Sequence, residues 1–214
     1  SFQCPQNVKI DFNTLLIYLP KFKGGIKIII DRQFDGKIKT VTISKTTTNK
    51  YFASVLVDNN QPLPTKKPII PETTVGIDLG INTLAVLSNG IVFENNKYLR
   101  KLEERLAWTQ RQLSRKRKGS NRRKIWKLRV AKIHEKIANQ RKDYLHKVSN
   151  AITKQYDTIC LETLDIKQLT KRQDPIEDPN NPGYYLPNGQ SQKSGLNKSI
   201  LECGWGMFVD FIKY

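Results

Sequence analysis

Charge is spread so unevenly along this chain that it constrains the fold before any motif is considered. Residues 97–154 hold 20 Lys and Arg against four Asp and Glu, a net charge of +16. All 214 residues together carry +18. A stretch with so few anions cannot stabilise itself by i, i+4 pairs of mixed sign. It has to spread its cations over a surface, and a polyanionic partner suits that surface best. Within it, Leu99, Leu102, Leu106 and Leu113 recur at spacings of 3, 4 and 7, and Ile133, Ile137, Tyr144, Val148 and Ile152 at 4, 7, 4 and 4. Each set lays one narrow apolar stripe on a helix. The spacing predicts an antiparallel helical hairpin over residues 97–155, with Gly119 ending the first helix and Ser120 or Asn121 capping the second. Its basic tip should project furthest. The candidate nucleic-acid contacts are Arg111, Arg115, Lys116, Arg117, Lys118, Arg122, Arg123, Lys124, Lys127, Arg129, Lys132, Arg141 and Lys142. Such a surface supports salt-dependent contact with a phosphate backbone rather than base reading.

Ahead of the hairpin lies VGIDLGINTLAV, residues 75–86. It reads as one buried strand turning into a second around Gly80-Ile81-Asn82. A third short run, residues 91–93, completes an antiparallel meander of three. Asp78 sits inside the first apolar run, where a buried carboxylate is costly without a cation or several hydrogen bonds. Gly76 and Gly80 leave space for another group to approach it. After the hairpin, DTICLETLDI (residues 157–166) reads as a further buried strand, interrupted by Glu162 as the first is by Asp78. If the two strands are neighbours, the carboxylates converge on a divalent cation. Hard oxygen ligands suit magnesium or manganese, which can activate water for phosphodiester hydrolysis.

Residues 1–57 read as short strands, at 15–19, 25–30, 37–44 and 51–57. The last two alternate across a polar loop as a hairpin, and the set suggests part of a small antiparallel barrel. Residues 58–74 carry four prolines and read as a linker, with a domain boundary near Lys67. Residues 171–194 read as a long loop, and 196–214 as a final helix with Asn197 as its cap and Asp210 on it. At 38% hydrophobic, the chain can build a core. Cys4, Cys160 and Cys203 are odd in number and far apart, against a disulfide framework and in favour of a reducing compartment. No apolar run reaches the length of a membrane span. The opening SFQCPQN lacks Met and shows no signal peptide, and is read as that of a fragment or of a processed chain.

Taken together, GIDLGIN with Asp78, the basic hairpin with HEKIANQRKDYLHK, and ICLETLDI with Glu162 resemble the TnpB family. These are RNA-guided nucleases of bacterial and archaeal insertion sequences, related to type V CRISPR effectors. The resemblance covers essentially the whole chain. It implies an α+β or α/β architecture: residues 1–67 would be the C-terminal part of a wedge (oligonucleotide-binding) β-barrel, and residues 68–214 the first part of a RuvC-like, RNase H-type core. Asp78 and Glu162 match the family's first and second catalytic acids and would hold Mg2+ or Mn2+. The third acid, and the zinc ribbon before it, have no counterpart in these residues, so zinc is expected only in a further C-terminal part. The implied partners are guide RNA and target DNA, with no membrane, in a prokaryotic cytoplasm near the nucleoid. Oligomeric state is left open by the sequence.

Two readings of function stand side by side: a metal-dependent, RNA-guided DNA endonuclease lacking its third acid, and an RNA- or DNA-binding remnant without catalysis. DLGINT is also similar to the phosphate-binding turn of actin-like ATPases and sugar kinases. Those proteins need a second glycine-rich loop and an adenosine-binding segment, and neither is found in the sequence.

Overall fold

The computed structural model describes residues 1–62, 65 and 68–213. The chain forms two compact units, Ser1–Lys66 and Lys67–Tyr214. The division falls in the proline-rich stretch; the boundary expected near Lys67 lies outside the described residues. The architecture is α+β.

The first unit has strands β1 (Phe2–Cys4), β2 (Lys9–Asp11), β3 (Leu16–Tyr18), β4 (Ile26–Lys27), β5 (Lys37–Lys45) and β6 (Tyr51–Asp58). They form two antiparallel sheets, β1-β5-β6 and β2-β3-β4. Their inner faces share a small core of Cys4, Ile17, Leu19 and Val41. Among the described residues no barrel closes, so the barrel-like expectation reduces to two small sheets. The β5–β6 hairpin is the expected one, but its alternation is broken. Ile38 pairs with Val57 and Thr40 with Leu56, leaving Lys39 as a bulge. Strict alternation would place Ile38 on the face opposite Val41 and Ile43. The extra residue shifts the phase, so all three pack on the same core.

The second unit contains β7 (Thr74–Leu79), β8 (Thr83–Leu87), β9 (Val92–Glu94), α1 (Tyr98–Ser114), α2 (Asn121–Gln155), β10 (Thr158–Leu161), α3 (Ile166–Leu169), β11 (Ile176–Glu177), β12 (Tyr185–Leu186), α4 (Gln190–Cys203) and α5 (Trp205–Lys213). Its main sheet runs β10-β7-β8-β9. The expected meander is present, and β10 joins its edge in parallel. A parallel neighbour needs a long crossover, and the whole helical hairpin lies within it. One face of the sheet offers Val75, Ile77, Leu79, Leu84 and Leu87. Against it pack Leu145, Val148 and Ile152 of α2, Ile200 of α4, and Trp205 and Phe208 of α5. Phe208 is fully buried, a placement that stabilises by roughly 1.5–3 kcal/mol.

Three helix boundaries differ from those expected. α1 ends at Ser114, and Gly119 instead takes a left-handed φ of 83° in the connecting loop. Ser120 then caps α2, its hydroxyl accepting from Arg123 N at 3.2 Å. The final helix begins at Gln190 rather than 196 and breaks at Gly204, so Asn197 lies mid-helix and donates to Thr170 O instead of capping. Gly204 has φ of 73°, and a Cβ there would meet Arg141 Cδ at 3.0 Å and Leu145 Cδ1 at 3.2 Å. Both the turn and the close approach of α2 therefore require glycine.

Candidate functional site

Alternation along β7 decides where Asp78 points. Val75, Ile77 and Leu79 are buried, so Thr74, Gly76 and Asp78 face the opposite side. Asp78 is consequently exposed and not enclosed among apolar side chains as the sequence suggested. β10 pairs with β7 in a fixed register, Cys160 opposite Gly76 and Leu161 opposite Ile77. Extending that register by one residue sets Glu162 beside Asp78. Both carboxylates line one open depression, together with Gly76, Ser88 and Cys160. Glu162 is exposed, as is Cys160.

The two glycines near Asp78 have different uses. Gly76 keeps the floor of the depression low; a Cβ there would sit 3.6 Å from Ser88 Cβ, in ordinary contact. Ser88 Oγ accepts from Gly76 N at 3.1 Å, and Ser88 N donates to Gly76 O at 2.9 Å. Gly80 is required by the turn, because a Cβ would lie 2.9 Å from Thr83 O. The indole of Trp205 donates to Gly80 O at 3.3 Å and ties that turn to the α4–α5 break. The donor set at the depression is two carboxylates in open, polar surroundings, which fits a hard divalent cation bound through few protein ligands. Among the described residues, no group of three or more His, Cys, Asp or Glu is placed to hold a metal. Asp210 is exposed on α5 and does not join the pair in such a group.

The hairpin separates its cations into two kinds. Arg111, Arg115, Arg117, Lys118, Arg122, Lys124, Lys127, Arg129, Lys132 and Lys142 are exposed. Lys116, Arg123 and Arg141 are partly buried. Arg123 donates to Leu113 O at 3.0 Å and to Lys116 O at 2.9 Å, closing the C-terminal end of α1. That is a structural role, favoured by the helix dipole. Arg141 packs its stem under Gly204.

The base of the hairpin has an acid that no sequence pattern singled out. Glu202, 5% exposed, accepts from Leu99 N at 2.9 Å and Arg100 N at 3.2 Å. It thereby caps α1 from another helix, since Lys97 at the N-cap position offers no side-chain bond of its own. Arg100 Nη2 reaches Ser199 Oγ at 3.0 Å, and Lys198 pairs with Glu103. The available signal was Glu202 standing between Leu201 and Cys203 in the run Ile200–Cys203, beside the anchors of the helix.

All three cysteines are free thiols. Among the described residues no helix is long and apolar enough to cross a membrane.

With this geometry in view, comparison with known proteins gives consistent results. Residues 54–173 match the family described as "Probable transposase", OrfB_IS605. The chain is 37% identical over 206 residues to "Putative RNA-guided DNA endonuclease InsQ" of Escherichia coli (strain K12), covering 96% of this chain and 48% of that protein. It is 40% identical over 134 residues to "Putative RNA-guided DNA endonuclease" of Streptomyces pristinaespiralis, covering 62% of this chain and 32% of the relative. The chain thus spans about half the length of the first relative and about a third of the second. The family match takes in β7 to β10 and the entire hairpin, and the chain belongs to this transposase family, the TnpB family of insertion-sequence proteins.

Proposed function

We propose that this chain supplies the first two acids and a polyanion-binding hairpin of an RNA-guided DNA endonuclease acting in the bacterial cytoplasm. The observation that carries the reading is the parallel β10–β7 pairing up to Leu161 and Ile77, with Asp78 and Glu162, the next residue of each strand, lining one open depression. In this reading the second unit is RuvC-like and the first is part of a wedge domain. Guide RNA reads sequence by pairing, and the protein holds the heteroduplex by its backbone. Exposed cations of α1 and α2 take phosphates. Asp78 and Glu162 would hold Mg2+ or Mn2+ through one carboxylate oxygen or more each. When bound, such an ion polarises a phosphodiester and activates a water. The chain's own contribution is to fix two carboxylates on adjacent strands, with Gly76 leaving room for the scissile phosphate.

A second reading is favoured by one observation. The described residues bring two acids and no third together, and in this reading residues 1–214 bind nucleic acid through the hairpin without cutting it. One experiment separates the two. The chain is incubated with labelled RNA and with single- and double-stranded DNA, with and without magnesium, across a salt series. Magnesium-dependent cleavage that is lost in Asp78→Ala and in Glu162→Gln, with binding intact, supports the nuclease. Steeply salt-dependent binding without cleavage supports the binding reading. Absence of binding defeats both.

A further inference from the structure

The groove between the two arms of the hairpin holds an arrangement that backbone contact leaves unexplained. α1 carries Arg105 and Trp108, and α2 carries Trp126 and Arg129, each pair three residues apart. That step places both members of a pair on one face of their helix. The two indoles meet edge to face, with centroids 5.5 Å apart. Trp126 is already engaged by cations: the Arg129 guanidinium lies 4.5 Å from its ring centre and Lys116 Nζ 5.8 Å. Among the described residues no cation lies over Trp108, which is 52% exposed. Half of this indole is therefore open to stacking by a planar group.

The surroundings define that partner's chemistry. Trp108 borders a cleft of about 490 Å³, also lined by Arg105, Arg129, Lys132 and Lys136 and by no carboxylate. Its size falls within the roughly 300–1,000 Å³ of small-molecule sites. Four cations around one uncovered indole suit a flat aromatic group bearing adjacent negative charge. A base inside a duplex has both faces covered by its neighbours, so the group must be unpaired. Exposed cations continue along the arms at Arg111, Lys124 and Lys127, which a strand can use and a free nucleotide cannot. We infer that Trp108 is a stacking platform for one unpaired base of a single-stranded nucleic acid, with the flanking phosphates held by Arg105, Arg129, Lys132 and Lys136. This rests on the nucleic-acid-binding reading above and names a subsite within it.

The test uses the whole chain and two probes: a short oligouridine RNA, and the same RNA with one central abasic residue placed by a scan along the strand. Tryptophan fluorescence and a competition assay report binding. Base stacking predicts that the intact strand binds about tenfold more tightly than the abasic strand of the most affected register. Trp108→Ala should remove that difference while leaving the salt dependence unchanged. Trp108→Phe should keep most of it, and circular dichroism checks that the helix content of the chain is kept in both variants. Equal binding of intact and abasic strands by the unaltered chain overturns the inference and leaves the proposed function standing. So does a preference that persists in Trp108→Ala. Failure to bind either strand overturns the proposed function as well.

Discussion

The two halves of α2 are one continuous helix with opposite surroundings. Residues 121–136 carry seven Lys and Arg and one acid, and not one of them is buried. Residues 137–155 carry four Lys and Arg and one acid, and supply Ile137, Leu145, Val148, Ser149 and Ile152 to the interior. The first half packs along α1; the second packs on α5 and the sheet. Helix propensity is similar in both, so packing rather than propensity distinguishes them. The far half is fold, and the near half is a surface held out by it.

Substitutions can break this contrast. Leu145, 1% exposed, should cost about 2–5 kcal/mol as Leu145→Ala. Ile125→Ala, at a residue 54% exposed in the other half, should change stability by less than about 0.5 kcal/mol. Equal effects of the two in denaturant titration would erase the distinction between the halves. Glu202→Ala strands the amides of Leu99 and Arg100 and should cost about 1–3 kcal/mol. Hydrogen exchange should quicken first at the start of α1, leaving β7 and β8 protected. Uniform acceleration would mean that Glu202 supports the core instead.

Smaller effects sharpen the same comparison. Replacing Arg122, Lys124 and Lys127 together by Ala should leave the melting temperature nearly unchanged. It should lower the salt slope of nucleic-acid binding by about 1 for each phosphate that is no longer neutralised. The corresponding change at Lys154, at the core end of the helix, should leave the slope as it was. The smallest effect is a pH dependence. Burial pushes the Cys203 thiol above its ordinary 9.0, with Glu202 adding to the rise and Asn95 and Arg141 opposing it. The folded state keeps this proton when the unfolded chain has released it, so stability is level below pH 9 and falls as pH rises above it. Tyr98 and Tyr144, also raised by burial from 10.0, add a similar fall only beyond pH 10. Cys203→Ser should therefore flatten the stability curve between those values, and an unaltered slope would remove the assignment.

What was legible in the sequence follows the range of the interactions. The β7–β9 meander is local: its turns are set by Gly80 and Gly90, and alternation marks the strands. The hairpin is local too, through its apolar stripes. The β10–β7 pairing is not local, and no pattern within DTICLETLDI announces a parallel neighbour. The exposure of Asp78 follows from alternation, but an apolar run such as VGIDL does not reveal which face is covered. The start of α4 was hidden because SQKSG is polar and contains a glycine, although Ile200 and Cys203 later anchor that helix in the core. Arg123 and Trp108 show a different gap. A basic run does not disclose which cation turns back onto a carbonyl, nor which indole is left uncovered between two helices.

The parallel register of β10 on β7 also has a kinetic consequence. Thr74 and Thr158 are paired across the whole span of the hairpin, so this pairing is among the most distant in sequence that the unit makes. Such pairings form late, because closing a long loop precedes any gain from it. During synthesis, moreover, β10 leaves the ribosome only after α1 and α2. The chain therefore completes its basic arm, and can meet a polyanion with it, before its two carboxylates are brought side by side.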